Sequence, residues 1–138
     1  MAGADATTQP KVGETFEVPL VNDLKRTTIV QYAGASGDYN PLHSDEIFTT
    51  EVAGYPSVFA HGMLTMGMTG RMLTDIYGIE ALKSFGGRFT AQVWPGDSLT
   101  GSLTVDSIDD GVANLTVVTR NQDDVVVFKG QATALTEI

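Results

Sequence analysis

Residues 62–77 read GMLTMGMTGRMLTDIY, and this stretch decides the fold that the sequence predicts. Its apolar side chains occupy nearly every side of a helix, which is typical of a helix that is buried on most sides. Two glycines, Gly67 and Gly70, weaken the helix intrinsically. We therefore expect this helix to pack closely against a sheet or a ligand.

One strand and two short helices are predicted before the long helix. Residues 14–21 alternate between apolar and polar side chains, as a half-buried strand does. A short helix follows, with Thr27 or Thr28 as its N-cap. Ser44 is the predicted N-cap of a second short helix, because acidic residues come directly after it.

Four strand-like runs follow the long helix. They cover residues 84–93, 98–108, 112–121 and 125–135. Turn sequences rich in Pro, Gly, Asn and Asp separate them, so the pattern predicts an antiparallel meander. The predicted class is α+β, with the sheet curled around the long helix, which is the hot-dog arrangement in outline. We expect a flexible lead-in at residues 1–11 and one domain at residues 12–138.

Composition and charge exclude several classes of protein. Acidic residues outnumber basic ones by 17 to 8, for a net charge of −9, which disfavours binding to nucleic acid or to anionic membranes. The absence of Cys excludes disulfides, thiolate metal sites and cysteine nucleophiles. The first ten residues lack the features of a secretory signal, and no apolar run reaches membrane-spanning length. We therefore expect a cytoplasmic enzyme or binding protein.

The loop at residues 36–43, SGDYNPLH, carries the first group of chemically useful side chains. It places Asp38 and His43 five residues apart on a segment stiffened by Pro41. An imidazole titrates near neutral pH and a carboxylate can orient it, so the pair can hold a water and move protons. The same residues are also ordinary turn formers, and Asp38 and Asn40 could be bonding only backbone amides.

A second group stands at the start of the long helix, in the run Ala60-His61-Gly62-Met63. The first amides of a helix have no intrahelical acceptor and form a natural oxyanion site. Gly62 permits close approach of a substrate carbonyl to its amide. His61 is either a core or capping histidine or a residue that contacts the substrate.

These two segments, followed by Arg88-Phe89-Thr90 and Pro95-Gly96-Asp97, resemble the MaoC-like (R)-specific enoyl-CoA hydratases, which also act as (3R)-hydroxyacyl-thioester dehydratases. The likeness runs from about Val12 to the C-terminus. Its specific part is the Asp-x-Asn-Pro-x-His element ahead of a His-Gly helix start. The Pro-Gly-Asp turn is shared with other hot-dog proteins.

The resemblance implies reversible addition of water to a trans-2-enoyl thioester, giving a (3R)-hydroxyacyl thioester. Asp38 and His43 would be the catalytic acid–base pair, Asn40 would support them, and the Gly62 amide would polarise the thioester carbonyl. Which of the pair transfers the carbon-bound proton stays open. No metal or redox cofactor is implied, because coenzyme A or phosphopantetheine is part of the substrate.

Substrate contacts are expected on the long helix and at a few basic residues. Met66, Gly70 and Leu73 form one helical stripe that we expect to face away from the strongest sheet contacts and to line an acyl slot, unless they are plain core residues. Phosphates of the substrate, or an acidic carrier protein, would need cations. The available candidates, which can also be ordinary solubilising charges, are Lys83, Arg88 and Arg71.

Other chemistries fit the sequence less well. A hot-dog acyl-thioester hydrolase is disfavoured by the loop, and a non-catalytic subunit by the presence of both Asp38 and His43. Residues 34–37 lack the Gly-x-Ser-x-Gly spacing of a serine nucleophile. Two histidines separated by a long segment give little density of metal ligands.

The predicted sheet leaves a long strand edge exposed, so we expect a dimer. A homodimer is the default interpretation. The resemblance also allows a heterodimer with a related hot-dog subunit, in which this chain would be the dehydratase subunit of a fatty acid elongation complex, and it allows acyl carrier protein as a partner.

Overall fold

The computed structural model describes residues 8–137. Within them lie five strands, two α-helices and two shorter helical segments. In chain order they are β1 (Thr15–Val21), α1 (Arg26–Ser36), a 3-10 helix (Pro41–His43), a π-helix (Phe48–Val52), α2 (Gly62–Tyr77), β2 (Leu82–Phe89), β3 (Leu99–Asp109), β4 (Val112–Arg120) and β5 (Val126–Leu135).

The strands form one antiparallel sheet in the order β1-β3-β4-β5-β2. The predicted meander of four consecutive strands is therefore wrong at its first strand, because β2 pairs with β5 and not with β3. β2 ends at Phe89, and the Ala60 amide donates to the Val93 carbonyl at 2.8 Å. Residues 90–98 thus carry the chain from β2, at one edge of the sheet, to β3, next to the strand at the other edge, instead of closing a hairpin.

The core lies between α2 and one face of the sheet. Met72, Leu73 and Ile76 of α2 share a buried cluster with strand residues that include Leu103 and Val117. Every second residue of β4 is buried, as expected for a sheet with one covered face. The predicted α+β class, a hot-dog sheet packed on one long helix, is confirmed.

Close packing of α2 on the sheet is visible at Gly70. A Cβ at this position would lie 3.3 Å from the ring of Phe85 on β2. The glycine weakens the helix but lets the aromatic ring approach its backbone, which is the compensation that the sequence predicted.

Both predicted helix caps are corrected by the structure. α1 begins at Arg26 with Lys25 as N-cap, and no side chain caps it, so Thr27 and Thr28 lie inside the first turn. Ser44 ends the 3-10 helix, and the carboxylate of Asp45 accepts the Phe48 amide at 3.0 Å instead. Ser and Asp are both good caps, and Ser44 is occupied as the C-cap residue of the 3-10 helix.

The N-terminal segment docks earlier than the predicted boundary at residue 11. Pro10 is buried, and the side-chain amide of Gln9 donates to the Thr136 carbonyl at 3.2 Å. The rest of the predicted lead-in, residues 1–7, lies outside the described residues. No helix among the described residues is both long enough and apolar enough to cross a membrane.

Candidate active site

Folding brings Asp38, His43 and His61 to one place. One ligand atom from each, a carboxylate oxygen or a ring nitrogen, lies within 4.8 Å of the other two. Gly37 makes this possible, because its left-handed backbone, with φ of 77°, ends α1 and turns the chain towards Asp38. The acid–base pair predicted from the loop is thus close in space as well as in sequence.

The loop is held by hydrogen bonds between its own side chains and backbone. One carboxylate oxygen of Asp38 accepts the Asn40 amide at 3.2 Å, and Asn40 Oδ1 accepts the Leu42 amide at 3.0 Å. The turn-forming alternative is therefore correct for both side chains. Asp38 can still accept a further hydrogen bond, because its second carboxylate oxygen has no partner among the described residues.

His43 is oriented by the backbone of the segment that precedes α2. Its Nδ1 lies 2.6 Å from the Phe59 carbonyl oxygen, and a carbonyl can only accept. Nδ1 therefore carries the proton, which leaves Nε2 with a free lone pair in the neutral ring. The ring also meets that of Phe59 edge-on, with centroids 5.4 Å apart. This arrangement presents Nε2 as a base.

His61 is buried, with 1% of its surface exposed. Its Nε2 donates to the Asp38 carbonyl at 3.1 Å, and its ring stacks on that of His43 at a centroid distance of 3.9 Å. The ring of Tyr32 meets the His61 ring edge-on, with centroids 4.8 Å apart. This environment supports the core-histidine interpretation of His61 and not the predicted contact with substrate.

Burial lowers the pKa of the His61 imidazole; the hydrogen bond to the Asp38 carbonyl raises it by a smaller amount, and the neighbouring His43 lowers it further. The Nδ1 of His61 is buried without a hydrogen-bond partner in the described part of the chain. The ring is therefore neutral at physiological pH.

Gly62 begins α2, and its amide has no acceptor among the described residues. It opens on a cavity of about 330 Å³ that Phe59, Thr65 and Phe89 also line. A Cβ at residue 62 would lie 3.0 Å from the Phe89 ring, so glycine lets this ring pack against the start of α2. Asp38 and His43 do not line this cavity. His43 is hydrogen-bonded to Phe59, which does line it, and His61, which lies beside both residues, directly precedes Gly62 in the chain.

The acyl stripe predicted on α2 does not face away from the sheet. Leu73 is fully buried in the cluster that α2 shares with the strands, and Gly70 lies against Phe85. Met66 is half-buried. Sequence reasoning missed Thr65, which faces the cavity because it lies three residues after Gly62 on the same side of the helix.

The three predicted cations are in different settings. Arg71 lies 3.7 Å from the Asp75 carboxylate, and Lys83 donates to the Glu80 carbonyl at 3.2 Å. Arg88 has no carboxylate within 4.0 Å in residues 8–137. Of the three, only Arg71 has a carboxylate partner among the described residues, and the Arg88 side chain has no hydrogen bond to a carbonyl of these residues either.

The density of metal ligands is higher than the sequence indicated, because folding places both histidines beside Asp38. Their rings are stacked with an interplanar angle of 26°, and one nitrogen of each is bonded to a carbonyl. Lone pairs in two nearly parallel rings point side by side and not at one tetrahedral centre. The groups would have to rotate before they could share an ion.

The fold and site together define a hot-dog domain in which Asp38 and His43 lie close together beside the start of the central helix. The chain belongs to the family described as the MaoC like domain, whose model matches residues 7–127.

Three similar proteins illustrate this membership. The chain is 44% identical over 68 residues to 3-hydroxyacyl-thioester dehydratase Y of Mycobacterium tuberculosis, which is 47% of this chain and only 23% of that protein. R-hydratase PhaJ1 from Pseudomonas aeruginosa shares the fold with a TM-score of 0.81 and 23% identity, over 91% of this chain and 81% of that chain. A chain of the ChsH1-ChsH2 complex from M. tuberculosis has a TM-score of 0.79 and 25% identity, over 92% of this chain and 98% of that chain.

Proposed function

We propose that this chain catalyses the reversible syn hydration of trans-2-enoyl thioesters to (3R)-3-hydroxyacyl thioesters. The observation that carries the proposal is the convergence of Asp38 and His43 beside the first turn of α2. The similar proteins described above, a 3-hydroxyacyl-thioester dehydratase and an R-hydratase, support the same reaction class.

In the proposed reaction, one water lies between Asp38 and His43. The free Nε2 of His43 and the unengaged oxygen of Asp38 are both acceptors, so each can accept a hydrogen bond from one O–H of the water. The water oxygen bonds to carbon 3 as an O–H bond breaks and the carbon–carbon π bond opens. The residue that takes the released proton, Asp38 or His43, then delivers it to carbon 2 on the same face, so that water is added without any oxidant or reductant.

The amide of Gly62 is the proposed oxyanion donor. As water attacks carbon 3, negative charge collects on the thioester oxygen, and a preorganised N–H at a helix start stabilises it. Asn40 would act at one remove, because its amide and side chain hold the loop that carries Asp38. No metal or redox cofactor takes part in this scheme.

Assembly remains part of the proposal. β1 and β2 are the two edges of the sheet, and each leaves a row of backbone groups without a strand partner in the described chain. Phe89, the last residue of the β2 edge, lines the Gly62 cavity, so a second copy on that edge would border the site. A related subunit is the alternative, as the ChsH1-ChsH2 complex illustrates for that protein.

The test is the ultraviolet absorbance of crotonyl-CoA and a longer enoyl-CoA with the purified chain. We expect absorbance to fall as the double bond is hydrated, and Asp38→Asn and His43→Gln each to slow the reaction by at least about a hundredfold. Asp123→Asn, at an exposed hairpin, is the matched control and should keep full rate. Chiral analysis of the product checks the (3R) configuration.

Two outcomes would contradict the proposal. Free thiol released without loss of the double bond would indicate a thioester hydrolase. Turnover that both loop variants retain in full would show that the acid–base pair lies elsewhere. Activity that arises only after a related subunit is added would instead establish the heterodimer.

A further inference from the structure

Two cations stand directly opposite each other on neighbouring strands. Arg88 of β2 is the register partner of Lys129 of β5, so both side chains leave the same face of the sheet, and both are exposed. Neither lies within 4.0 Å of a carboxylate in residues 8–137. Like charges at directly opposed positions destabilise a sheet. Such a pair is unusual in a chain with a net charge of −9.

The two cations border a cavity of about 510 Å³. Thr90, Thr116 and Gln131 add polar side chains to its lining, and glycine backbone from both strands forms the rest. At Gly86 an added Cβ would meet nothing within 4 Å, so the missing side chain leaves open space beside Arg88. No carboxylate from the described residues lines the cavity. Its chemistry is that of an anion site.

This cavity adjoins the proposed active site. Thr90 lines both cavities, the one beside Gly62 and the one between the two cations. Phe89 faces Gly62 on the helix side of β2, and Arg88, the preceding residue, leaves the opposite face. A ligand that reacts near Gly62 can therefore pass Thr90 at the end of β2 and reach both cations.

We propose that Arg88 and Lys129 bind a phosphate of the nucleotide end of a coenzyme A thioester. A guanidinium can bind two phosphate oxygens at once, and the lysine ammonium adds a second charge. The inference rests on the proposed function for its substrate class. The nucleotide end of coenzyme A fits better than an acidic carrier protein, because a compact phosphate meets only the two local cations, whereas an acidic protein surface would also meet the rest of a chain with a net charge of −9.

The test compares Arg88→Gln and Lys129→Gln with Lys11→Gln, whose exposed cation lies beside β1 at the opposite edge of the sheet. Hydration of crotonyl-CoA is measured beside hydration of crotonyl-pantetheine, which has no nucleotide. We expect each of the first two variants to raise KM for crotonyl-CoA roughly tenfold with kcat unchanged. Neither should alter the kinetics with crotonyl-pantetheine.

Calorimetric binding of adenosine 3′,5′-bisphosphate gives a readout that does not depend on catalysis. The unaltered chain and Lys11→Gln should bind it, more weakly as salt is raised, and the two cavity variants should lose most of the affinity. If the chain hydrates neither thioester but shows this binding pattern, the proposed reaction fails and the phosphate site stands. If the chain hydrates crotonyl-CoA and both cavity variants match it in KM and in nucleotide affinity, the phosphate site is refuted while the reaction stands. The phosphate site would also be refuted if the two cavity variants lost activity only with an enoyl group carried on acyl carrier protein and not with crotonyl-CoA.

Discussion

The buried imidazole of His61 donates a hydrogen bond from Nε2 to the backbone carbonyl of Asp38, at 3.1 Å. This bond joins the N-cap of α2 to the loop that carries Asp38 and His43. The ring of His43 stacks on the ring of His61. His61 thus connects two segments that are 23 residues apart.

The neutral state of His61 predicts a pH dependence of stability. Because burial lowers its pKa, the folded chain keeps the ring neutral where an unfolded chain protonates it. Its contribution is complete above the ordinary value of 6.5 and declines as the pH falls through that value towards the lower folded pKa. The midpoint of thermal unfolding, measured from about pH 8 to 5, should therefore fall more steeply than in His61→Gln. Equal pH profiles for the two proteins would contradict a buried neutral histidine.

Replacing Gly62 by Ala should reduce activity while the helix still forms. The added Cβ would lie 3.0 Å from the Phe89 ring, so either the ring or the start of α2 must shift. We expect kcat/KM for crotonyl-CoA to fall at least about tenfold, since oxyanion donors act only at close range. Steady-state kinetics measures the effect.

Gly67→Ala is the matched control on the same helix, because a Cβ there meets nothing within 4 Å. It should keep full activity and raise the free energy of unfolding by about 0.5–1 kcal/mol through helix propensity. An equal loss of activity in both variants would point to a general effect on the helix.

The close contact between β2 and β5 predicts that replacing Gly130 by Ala destabilises the protein much more than replacing Gly86 by Ala. A Cβ at Gly130 would lie 2.0 Å from the Gly86 carbonyl oxygen, so Gly130→Ala must push the strands apart. We expect a loss of about 2–4 kcal/mol in the free energy of unfolding, measured by denaturant titration. Gly86→Ala, where the space is open, should lose less than about 0.5 kcal/mol. Similar losses in the two variants would show that the strands adjust freely.

Tyr77 carries a buried hydroxyl with no hydrogen-bond partner among the described residues. Burial also raises the pKa of this phenol, because the charged form is poorly solvated there. Tyr77→Phe removes the unsatisfied group and should raise the free energy of unfolding by about 1 kcal/mol. Tyr39→Phe, in an exposed loop, should leave it unchanged. A clear loss in Tyr77→Phe would reveal a partner for the hydroxyl, such as a bound water.

Several features of the site could be predicted because they depend on neighbours in sequence. The spacing of Asp38 and His43 around Pro41 predicted that the two side chains lie close together, and the turn alternative for Asp38 and Asn40 followed from the same residue types. The burial of His61 was less accessible, since a lone histidine before a helix fits a cap, a ligand contact or a core position equally well. Thr65 was missed because nothing local distinguishes a cavity-facing threonine from a core one.

The sequence by itself determined the elements. The long helix predicted from Gly62 to about Tyr77 matches the helix in the structure, Gly62–Tyr77. Its bounds could be predicted because apolar spacing and terminal glycines act over only a few residues. Only the tertiary structure decided that β2 joins β5, that Leu73 faces the sheet, and that Arg88 lies opposite Lys129. Strand pairing uses backbone groups that every residue carries, so the order of strands depends on which edge the whole chain leaves free and not on the residues of one strand.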